Sequence, residues 1–225
     1  MPNKKRGTEK KRGTDIQAWR SNQPQAQPGK LRIVGGKFRG RQLDYSGDPR
    51  TRPMKDNIRE ALFNLIGGWI QGKHAFDLFA GTGAIGLEAL SRGACHITLI
   101  ERHFPTAKVL RDNIQYLQVE QETTIETANS FFWGRQFLAK PDQFPGQPWA
   151  VFCSPPYHFF KSRWSELHDL LNGLLQAAPP ESLFVVESNE LFDTTQLPQA
   201  NRWNTRQYSP AQISVLRPGS GSANS

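Results

Sequence analysis

Residues 74–101 read HAFDLFAGTGAIGLEALSRGACHITLIE, and this stretch decides the fold. Its first apolar run predicts a buried strand over 74–80, and three glycines follow at the turn. The stretch AIGLEALSRG then predicts a helix, and ITLIE at 97–101 predicts a second strand. A strand, a glycine-rich turn, a helix and another strand indicate a βαβ unit with parallel strands.

The same alternation of short strands and amphipathic helices continues along the chain. Helices are predicted over 104–117, 131–139 and 162–178, and strands over 123–128, 149–153 and 183–187. A closing hairpin with arms at 206–208 and 213–217 is predicted around Ser209-Pro210. The sequence therefore predicts an α/β fold with a mostly parallel sheet and an antiparallel C-terminal strand. Ligands bind such sheets at the carboxyl ends of the strands, so the residues directly after each strand form the candidate site.

Upstream of this sheet, LRIVGGKFRGRQL at 31–43 predicts a β-hairpin that turns at Gly35-Gly36 and has a basic second arm. A helix is predicted over 55–66, where apolar residues recur at helical spacing before Gly67-Gly68. We divide the chain into a disordered basic tail over 1–29, the hairpin and helix over 30–68, the α/β domain over 69–217 and a flexible tail over 218–225.

The net charge of +8 is concentrated at the front of the 225-residue chain. Residues 1–30 contain eight basic and two acidic residues, and 31–59 contain eight and three, whereas the chain from Glu60 onward has 12 basic and 15 acidic residues. A basic front end on a mildly acidic body favours binding of a polyanion such as nucleic acid. For residues 1–29 alone, a solvated tail that aids solubility is an equal alternative.

Composition also excludes several classes of protein. No apolar run approaches the roughly 18 residues of a membrane span, and the N-terminus lacks the apolar core of a signal peptide. The two cysteines, Cys95 and Cys153, are too few for a disulfide scaffold or a four-cysteine zinc site, and the histidines form no H-x-x-x-H pair. We therefore expect a soluble, cytoplasmic protein without a metal site.

The glycine-rich turn has the spacing of a nucleotide-binding loop. Gly81, Gly83 and Gly86 fit G-x-G-x-x-G between a strand and a helix, where glycine lets a ligand approach the backbone closely. Glu101 ends the second strand, 20 residues after Gly81, where a carboxylate can accept hydrogen bonds from both hydroxyls of a ribose. Asp77, at the end of the first strand, can hold a cationic amine. The glycines and Glu101 alone would also suit a dinucleotide.

A second unusual loop, Ser154-Pro155-Pro156-Tyr157, directly follows the strand predicted over 149–153. The prolines fix φ and remove two backbone donors, which leaves nearby carbonyls as acceptors on a stiff loop beside an aromatic ring. Such a loop can grip a flat base and accept hydrogens from its exocyclic amine. Cys153, just before the loop, is interpreted as a buried strand residue and not as a nucleophile.

The two loops together resemble those of class I methyltransferases that use S-adenosylmethionine. The stretch D-x-F-A-G-T-G at 77–83 is similar to their motif I, and Ser-Pro-Pro-Tyr is similar to the [D/N/S]-P-P-[Y/F/W] loop of enzymes that methylate exocyclic amines of nucleic acids. The resemblance implies a Rossmann-like class I methyltransferase fold with S-adenosylmethionine as cofactor. The implied cofactor-binding residues are Asp77, Phe79, Ala80, Gly81, Thr82, Gly83, Gly86, Glu101, Arg102, Asn129 and Ser130.

The resemblance also assigns roles to individual residues. Asp77 would serve the methionine end of the cofactor, Glu101 its ribose and Asn129 its adenine; for Asn129, capping of the following helix is an equal alternative. The implied catalytic residues are Ser154, Pro155, Pro156 and Tyr157. Hydrogen bonds from the amine to the serine side chain and the first proline carbonyl would draw the nitrogen lone pair out of the ring, and the tyrosine would stack on the base.

The front of the chain resembles one family more closely, the bacterial 16S rRNA guanine-N2 methyltransferases. RIVGGKFRGRQL, TRPMK at 51–55, IREALFN at 58–64 and VVES at 185–188 support this similarity, which covers roughly residues 31–217. It implies one guanine of small-subunit rRNA in a ribosomal particle as the substrate, and a basic hairpin that holds the RNA. We further expect a monomer with no membrane partner. The implied RNA-binding residues are Arg32, Lys37, Arg39, Arg41, Arg52, Lys55 and Arg59.

One departure from the family keeps alternatives open. Ser154 stands where the family usually has Asp, and a hydroxyl is a weaker acceptor than a carboxylate. One alternative is an adenine-N6 methyltransferase, which uses the same loop. Another is a non-catalytic rRNA-binding assembly factor whose loop has decayed. A dehydrogenase ranks last, because Ser-Pro-Pro-Tyr has no role in hydride transfer.

Overall fold

The computed structural model describes residues 29–48 and 53–217. The predictions made for 1–28, for 218–225 and for Arg52 lie outside the described residues. The predicted disordered tail over 1–29 included Gly29, but this glycine is the first residue of a strand. No helix within the described ranges is long and apolar enough to cross a membrane.

Nine strands in the described part of the chain form two sheets. They are β1 (Gly29–Arg32), β2 (Gln42–Tyr45), β3 (His74–Asp77), β4 (His96–Ile100), β5 (Thr123–Glu126), β6 (Trp149–Cys153), β7 (Leu183–Asn189), β8 (Trp203–Tyr208) and β9 (Ala211–Leu216). β1 and β2 form an antiparallel pair, and the others form one sheet in the order β5-β4-β3-β6-β7-β9-β8. Strands β3 to β7 run parallel, whereas β9 is antiparallel to β7 and β8 to β9. This confirms the predicted α/β fold.

The helices lie between these strands, as the βαβ pattern predicts. The α-helices of the described residues are α1 (Asp56–Ile66), α2 (Ala84–Ser91), α3 (Phe104–Leu117), α4 (Ser130–Leu138), α5 (Phe159–Ser162) and α6 (Trp164–Ala177). Short 3₁₀ turns cover Gly67–Ile70, Pro141–Gln143, Thr194–Gln196 and Ala200–Arg202. The helix predicted over 104–117 has those bounds. The helix predicted over 162–178 begins two residues later, because α5 precedes it as a separate turn.

Apolar side chains pack against both faces of the large sheet. On β3, Ala75 belongs to the cluster that includes residues of α1, α2 and α3, and its neighbour Phe76 belongs to the cluster of α4 and α6. Successive residues of a strand point to opposite faces, so a strand covered on both sides must be apolar throughout. The fully buried run WAVFC of β6 shows this arrangement.

The connection between β1 and β2 differs from the predicted hairpin. The two strands pair over four residues each, so residues 33–41 form a long connection in place of a tight turn and a second arm. Gly35 and Gly36 pack against the end of α2, where a Cβ on Gly36 would collide with the Ser91 carbonyl. The Ser91 hydroxyl donates to the Gly35 carbonyl at 2.5 Å, and its own carbonyl accepts from the Lys37 amide at 2.8 Å. The positive φ of Gly36 and its contact with the Ser91 backbone require glycine at this position.

A buried ion-pair network attaches the hairpin and α1 to α2. The Glu88 side chain is 0% exposed and accepts from the Val34 amide at 2.8 Å and from Arg92 Nε at 2.7 Å. Its carboxylate also lies 3.6 Å from Nε of Arg59. Arg59 is 1% exposed and donates to the Met54 carbonyl at 3.1 Å. The prediction that Arg59 binds RNA is therefore wrong, because its guanidinium is enclosed by protein.

Candidate active site

The two loops identified in the sequence meet at one cavity. β3 and β6 are neighbours in the sheet, and the strand order reverses between them, because β4 lies beyond β3 and β7 lies beyond β6. Such a switch point is where parallel sheets bind ligands. A cavity of about 720 Å³ opens there, which is the size of a small-molecule site. The predicted site residues that line it are Lys55, Phe79, Ala80, Gly81, Thr82, Glu101, Arg102, Asn129, Ser130, Ser154, Pro155, Pro156 and Tyr157.

The glycine loop forms the wall of the cavity after β3. Gly81 and Gly83 have φ angles of 54° and 83°, in the left-handed region that favours glycine. A Cβ on Gly83 would also collide with a methyl group of Leu110 on α3. Gly83 and Gly86 are not among the residues that line the cavity, so in this structure they shape the loop from behind.

Asp77 lies beneath this loop and does not border the cavity. It is 1% exposed, and its Oδ2 accepts from the Gly86 amide at 3.1 Å. Oδ1 has no hydrogen-bond partner among the described residues. Burial raises the pKa of Asp77 to about 7, because removal from water disfavours the carboxylate form. The observed contact fixes the start of α2 against β3, and binding of a cofactor amine by Asp77 stays a prediction.

Glu101 is held at the edge of the cavity by two backbone amides. Its Oε2 accepts from the Gly81 amide at 2.9 Å, and its Oε1 accepts from the His103 amide at 2.6 Å. Burial raises the pKa of Glu101, although both amide hydrogen bonds oppose this shift. Each carboxylate oxygen has more than one lone-pair direction, so Glu101 can still accept hydrogens from a ligand in the cavity.

The residues after β5 are engaged with the protein itself. Asn129 caps α4, because its Oδ1 accepts from the amides of Phe131 at 3.0 Å and Phe132 at 3.3 Å. The structure therefore shows the helix-cap alternative for Asn129, and the residue also borders the cavity. The Ser130 hydroxyl donates to the Leu78 carbonyl, which joins α4 to the end of β3.

The Ser-Pro-Pro-Tyr loop is hydrogen-bonded to Glu187, a carboxylate outside the predicted site. The Ser154 hydroxyl donates to Oε2 of Glu187, and the Tyr157 hydroxyl donates to Oε1 of Glu187 at 3.0 Å. Glu187 lies on β7, is 7% exposed and borders the cavity. Cys153, the last residue of β6, pairs with Val186 of β7 in parallel register. Ser154, the next residue along the chain, therefore lies beside Glu187. The acidic end of the strand predicted over 183–187 was the available signal.

Aromatic rings form the wall of the cavity next to this loop. Phe79, Phe131 and Phe159 all line it, with ring centroids between 5.9 and 6.1 Å apart. The guanidinium of Arg163 stacks over Phe131 at 4.2 Å and over Phe159 at 5.3 Å. Such a wall suits a flat, aromatic ligand. Phe131 and Phe159 were missed because apolar residues in helices are ordinarily assigned to the core.

Most of the predicted RNA-binding residues lie on the surface, away from the cavity. Arg32, Lys37, Arg39 and Arg41 are exposed, whereas Lys55 borders the cavity. Arg32 lies 3.5 Å from a carboxylate oxygen of Asp56, so its charge is partly balanced. The group therefore contains exposed cations, but their contact with RNA stays a prediction.

Asn113 on α3 connects the hairpin to the glycine loop. Its Oδ1 accepts from the Asp44 amide at 2.7 Å, and its Nδ2 donates to the carbonyls of Asp44 at 3.0 Å and Thr82 at 3.3 Å. A buried amide with three hydrogen bonds to the backbone of Asp44 and Thr82 fixes the distance between those segments. Within the described ranges, no group of three or more His, Cys, Asp and Glu residues could hold a metal ion.

Comparison with known proteins agrees with this geometry. The family described as Conserved hypothetical protein 95 matches residues 31–217. Ribosomal RNA small subunit methyltransferase D of Escherichia coli K12 is 37% identical over 163 residues, which cover 71% of this chain and 75% of that protein. The protein of the same name from Buchnera aphidicola of Acyrthosiphon pisum is 34% identical over 129 residues, and the match spans 57% of this chain and 64% of that relative.

The fold is also found in a solved structure. A putative methyltransferase from Escherichia coli superposes with a TM-score of 0.67 and 30% sequence identity, covering 84% of this chain and 99% of that one. The family match extends over the hairpin, the sheet and both loops that border the cavity. The chain therefore belongs to the Conserved hypothetical protein 95 family, together with the bacterial ribosomal RNA small subunit methyltransferases D.

Proposed function

We propose that this protein transfers a methyl group from S-adenosylmethionine to the exocyclic N2 of a guanine in small-subunit rRNA. The observation that carries the proposal is that the glycine loop after β3 and the Ser-Pro-Pro-Tyr loop after β6 border the same cavity. One loop has the features of a cofactor site and the other those of a site for an exocyclic amine. Two relatives are named ribosomal RNA small subunit methyltransferase D, and this supports RNA as the substrate.

The residues of the cavity fit the proposed cofactor. The left-handed turn at Gly81 exposes backbone without a side chain, and Glu101 presents a carboxylate with remaining acceptor capacity to a ribose. Phe79 and Phe131 offer apolar side chains, and Asn129 also borders the cavity, where its side-chain amide could donate to an adenine. When bound, S-adenosylmethionine supplies a methyl group on a positively charged sulfur.

The acceptor loop would hold and orient the base. The Ser154 oxygen and the Pro155 carbonyl are acceptors beside the Tyr157 ring, so an exocyclic amine can donate both of its hydrogens while the base stacks. These hydrogen bonds favour a pyramidal nitrogen whose lone pair points away from the ring plane. Much of the rate enhancement in such a reaction would come from positioning of the two reactants.

RNA would reach the cavity along the basic hairpin. Lys37, Arg39 and Arg41 are exposed on the connection between β1 and β2, and Arg41 lies over the exposed ring of Tyr116 at 5.7 Å. Cationic and aromatic groups side by side suit phosphates and unstacked bases. Ser91 and Asn113 fix this segment relative to the glycine loop, so bound RNA would be held at a set distance from the cofactor.

The proposal is tested with purified protein, radiolabelled cofactor and small ribosomal particles isolated from cells that lack the corresponding gene. Digestion of the labelled RNA to nucleosides is expected to place the label in N2-methylguanosine. Label in N6-methyladenosine would identify the adenine enzyme in its place. RNA binding without any transferred label would identify a non-catalytic assembly factor.

A further inference from the structure

Glu187 is a buried carboxylate that faces the proposed reaction site. Both of its oxygens are engaged by hydroxyl donors of the acceptor loop, Ser154 at Oε2 and Tyr157 at Oε1. It borders the cavity and is 7% exposed. Within the described part of the chain, no Lys, Arg or His forms an ion pair with it.

A carboxylate in this position is costly unless positive charge appears beside it. Removal of a charge from water is unfavourable, and hydrogen bonds from two neutral hydroxyls compensate only part of that cost. Methyl transfer to an amine moves positive charge from sulfur to nitrogen. An acceptor site that already contains an unpaired negative charge therefore stabilises the charge that develops there.

We propose that Glu187 is the positioning residue that supplies the negative charge of the acceptor site and receives, through Ser154, the proton released by the methylated amine. This inference rests on the proposed transfer to an exocyclic amine. Because the Ser154 hydroxyl donates its proton to Glu187, the lone pairs of the same oxygen remain available to accept an N–H from a base in the cavity that Ser154 borders. The carboxylate also makes that oxygen a stronger acceptor, because hydrogen bonds in a chain polarise one another.

The proposed step is balanced in atoms and charge. The nitrogen–carbon bond forms as the sulfur–carbon bond breaks, and the electron pair of the broken bond stays on sulfur. The nitrogen then carries a positive charge and one proton too many. That proton passes to the Ser154 oxygen while the Ser154 proton passes to Glu187, which leaves a neutral methylamine and a protonated carboxyl group that later releases the proton to water.

The first test compares steady-state kinetics of Glu187→Gln with those of Glu190→Gln, a control three residues further on whose side chain is exposed. We expect E187Q to lower kcat by about 100-fold, with the KM for RNA nearly unchanged, whereas E190Q keeps wild-type kinetics. Ser154→Asp in the E187Q background should recover about tenfold in kcat, because aspartate on the loop again places a carboxylate in the acceptor site. Equal kcat in E187Q and E190Q, or no recovery in the double variant, would overturn the proposal.

The second test needs no turnover, so it is independent of the RNA substrate. Sinefungin carries an amine where the cofactor carries the transferable methyl group. S-adenosylhomocysteine lacks both the methyl group and any charge at this position. Calorimetry should show that wild type prefers sinefungin by about tenfold and that E187Q loses this preference, because the buried carboxylate attracts the ammonium group. The same preference in E187Q and E190Q would overturn the proposal.

A further variant keeps the test decisive if E187Q folds poorly. Ser154→Ala interrupts the relay but leaves the carboxylate, so kcat should fall while the sinefungin preference stays. Loss of the preference in S154A would contradict the assignment of the charge to Glu187. Wild type that retains the preference but labels no RNA would refute the proposed function and not the charge assigned to Glu187.

Discussion

Replacement of Glu88 by glutamine is expected to lower the free energy of unfolding by about 3 kcal/mol. The carboxylate is fully buried and is contacted by two guanidinium groups, those of Arg59 and Arg92, and by the Val34 amide. Glutamine keeps the size of the side chain and one acceptor oxygen, but it removes the charge. Arg59 is 1% exposed, so its guanidinium would be left buried with weaker compensation.

The magnitude follows from the burial of both partners. Loss of one member of a buried ion pair costs about 3–5 kcal/mol, and the remaining amide oxygen places E88Q at the lower end. For a chain of this size, such a loss corresponds to a fall in Tm of about 6–12 °C. Urea unfolding followed by circular dichroism would measure it, with the exposed Glu60→Gln on α1 as a control expected within about 0.5 kcal/mol of wild type.

The variant should also affect RNA binding. Glu88 holds the connection between β1 and β2 through Val34, so the exposed cations of that connection lose their fixed position. We expect weaker binding of rRNA at concentrations where E88Q is folded. A destabilisation below about 1 kcal/mol would refute the reasoning, because it would mean that the buried arginine is compensated without the carboxylate.

The other predictions concern pH, the glycine loop and the basic connection. Because burial raises the pKa of Asp77 from 3.8 to about 7, the folded state keeps a proton that the unfolded chain has already lost; this contribution to stability is largest below about pH 4 and is lost as the pH rises to 7. Asp77→Asn should flatten that slope in urea unfolding between those pH values, and an unchanged slope would contradict the burial argument. Gly83→Ala should cost about 1–3 kcal/mol and weaken S-adenosylhomocysteine binding in calorimetry, more than Gly40→Ala, which has a similar φ but open space. Arg39→Glu with Arg41→Glu should weaken rRNA binding in filter assays and leave cofactor affinity unchanged; equal loss of both would show that the connection is structural.

The elements of the fold were predictable where the information is local. The helix over 104–117 follows from apolar spacing and a proline in its first turn, and the parallel strands follow from short apolar runs. The two loops were predictable as well, because the carboxyl ends of parallel strands are where ligands bind. Their position on a common cavity results from the adjacency of β3 and β6, which the order of elements alone does not give.

What the sequence did not reveal depends on contacts between distant segments. Arginine is typically a surface residue, so the sequence gives no sign that Arg59 is buried. Its burial becomes apparent only in the fold, where Glu88 on another helix lies beside its guanidinium. Gly35-Gly36 has the composition of a turn, but Gly36 is required because the backbone of Ser91 at the end of α2 leaves no room for a Cβ. Glu187 lies in the site because the register between β6 and β7 places Ser154 beside it, and this register cannot be read from the sequence.

The sheet order has a consequence for synthesis of the chain. The last three strands along the chain, β7, β8 and β9, lie together on one side of β6. Until they have left the ribosome, the fully apolar β6 has an open hydrogen-bonding edge in the nascent chain. A fragment that stops before β7 would contain both loops, yet it would expose that edge and lack Glu187. We expect such a fragment to aggregate and to require chaperones, whereas in the longer chain β7 pairs with β6 and covers that edge.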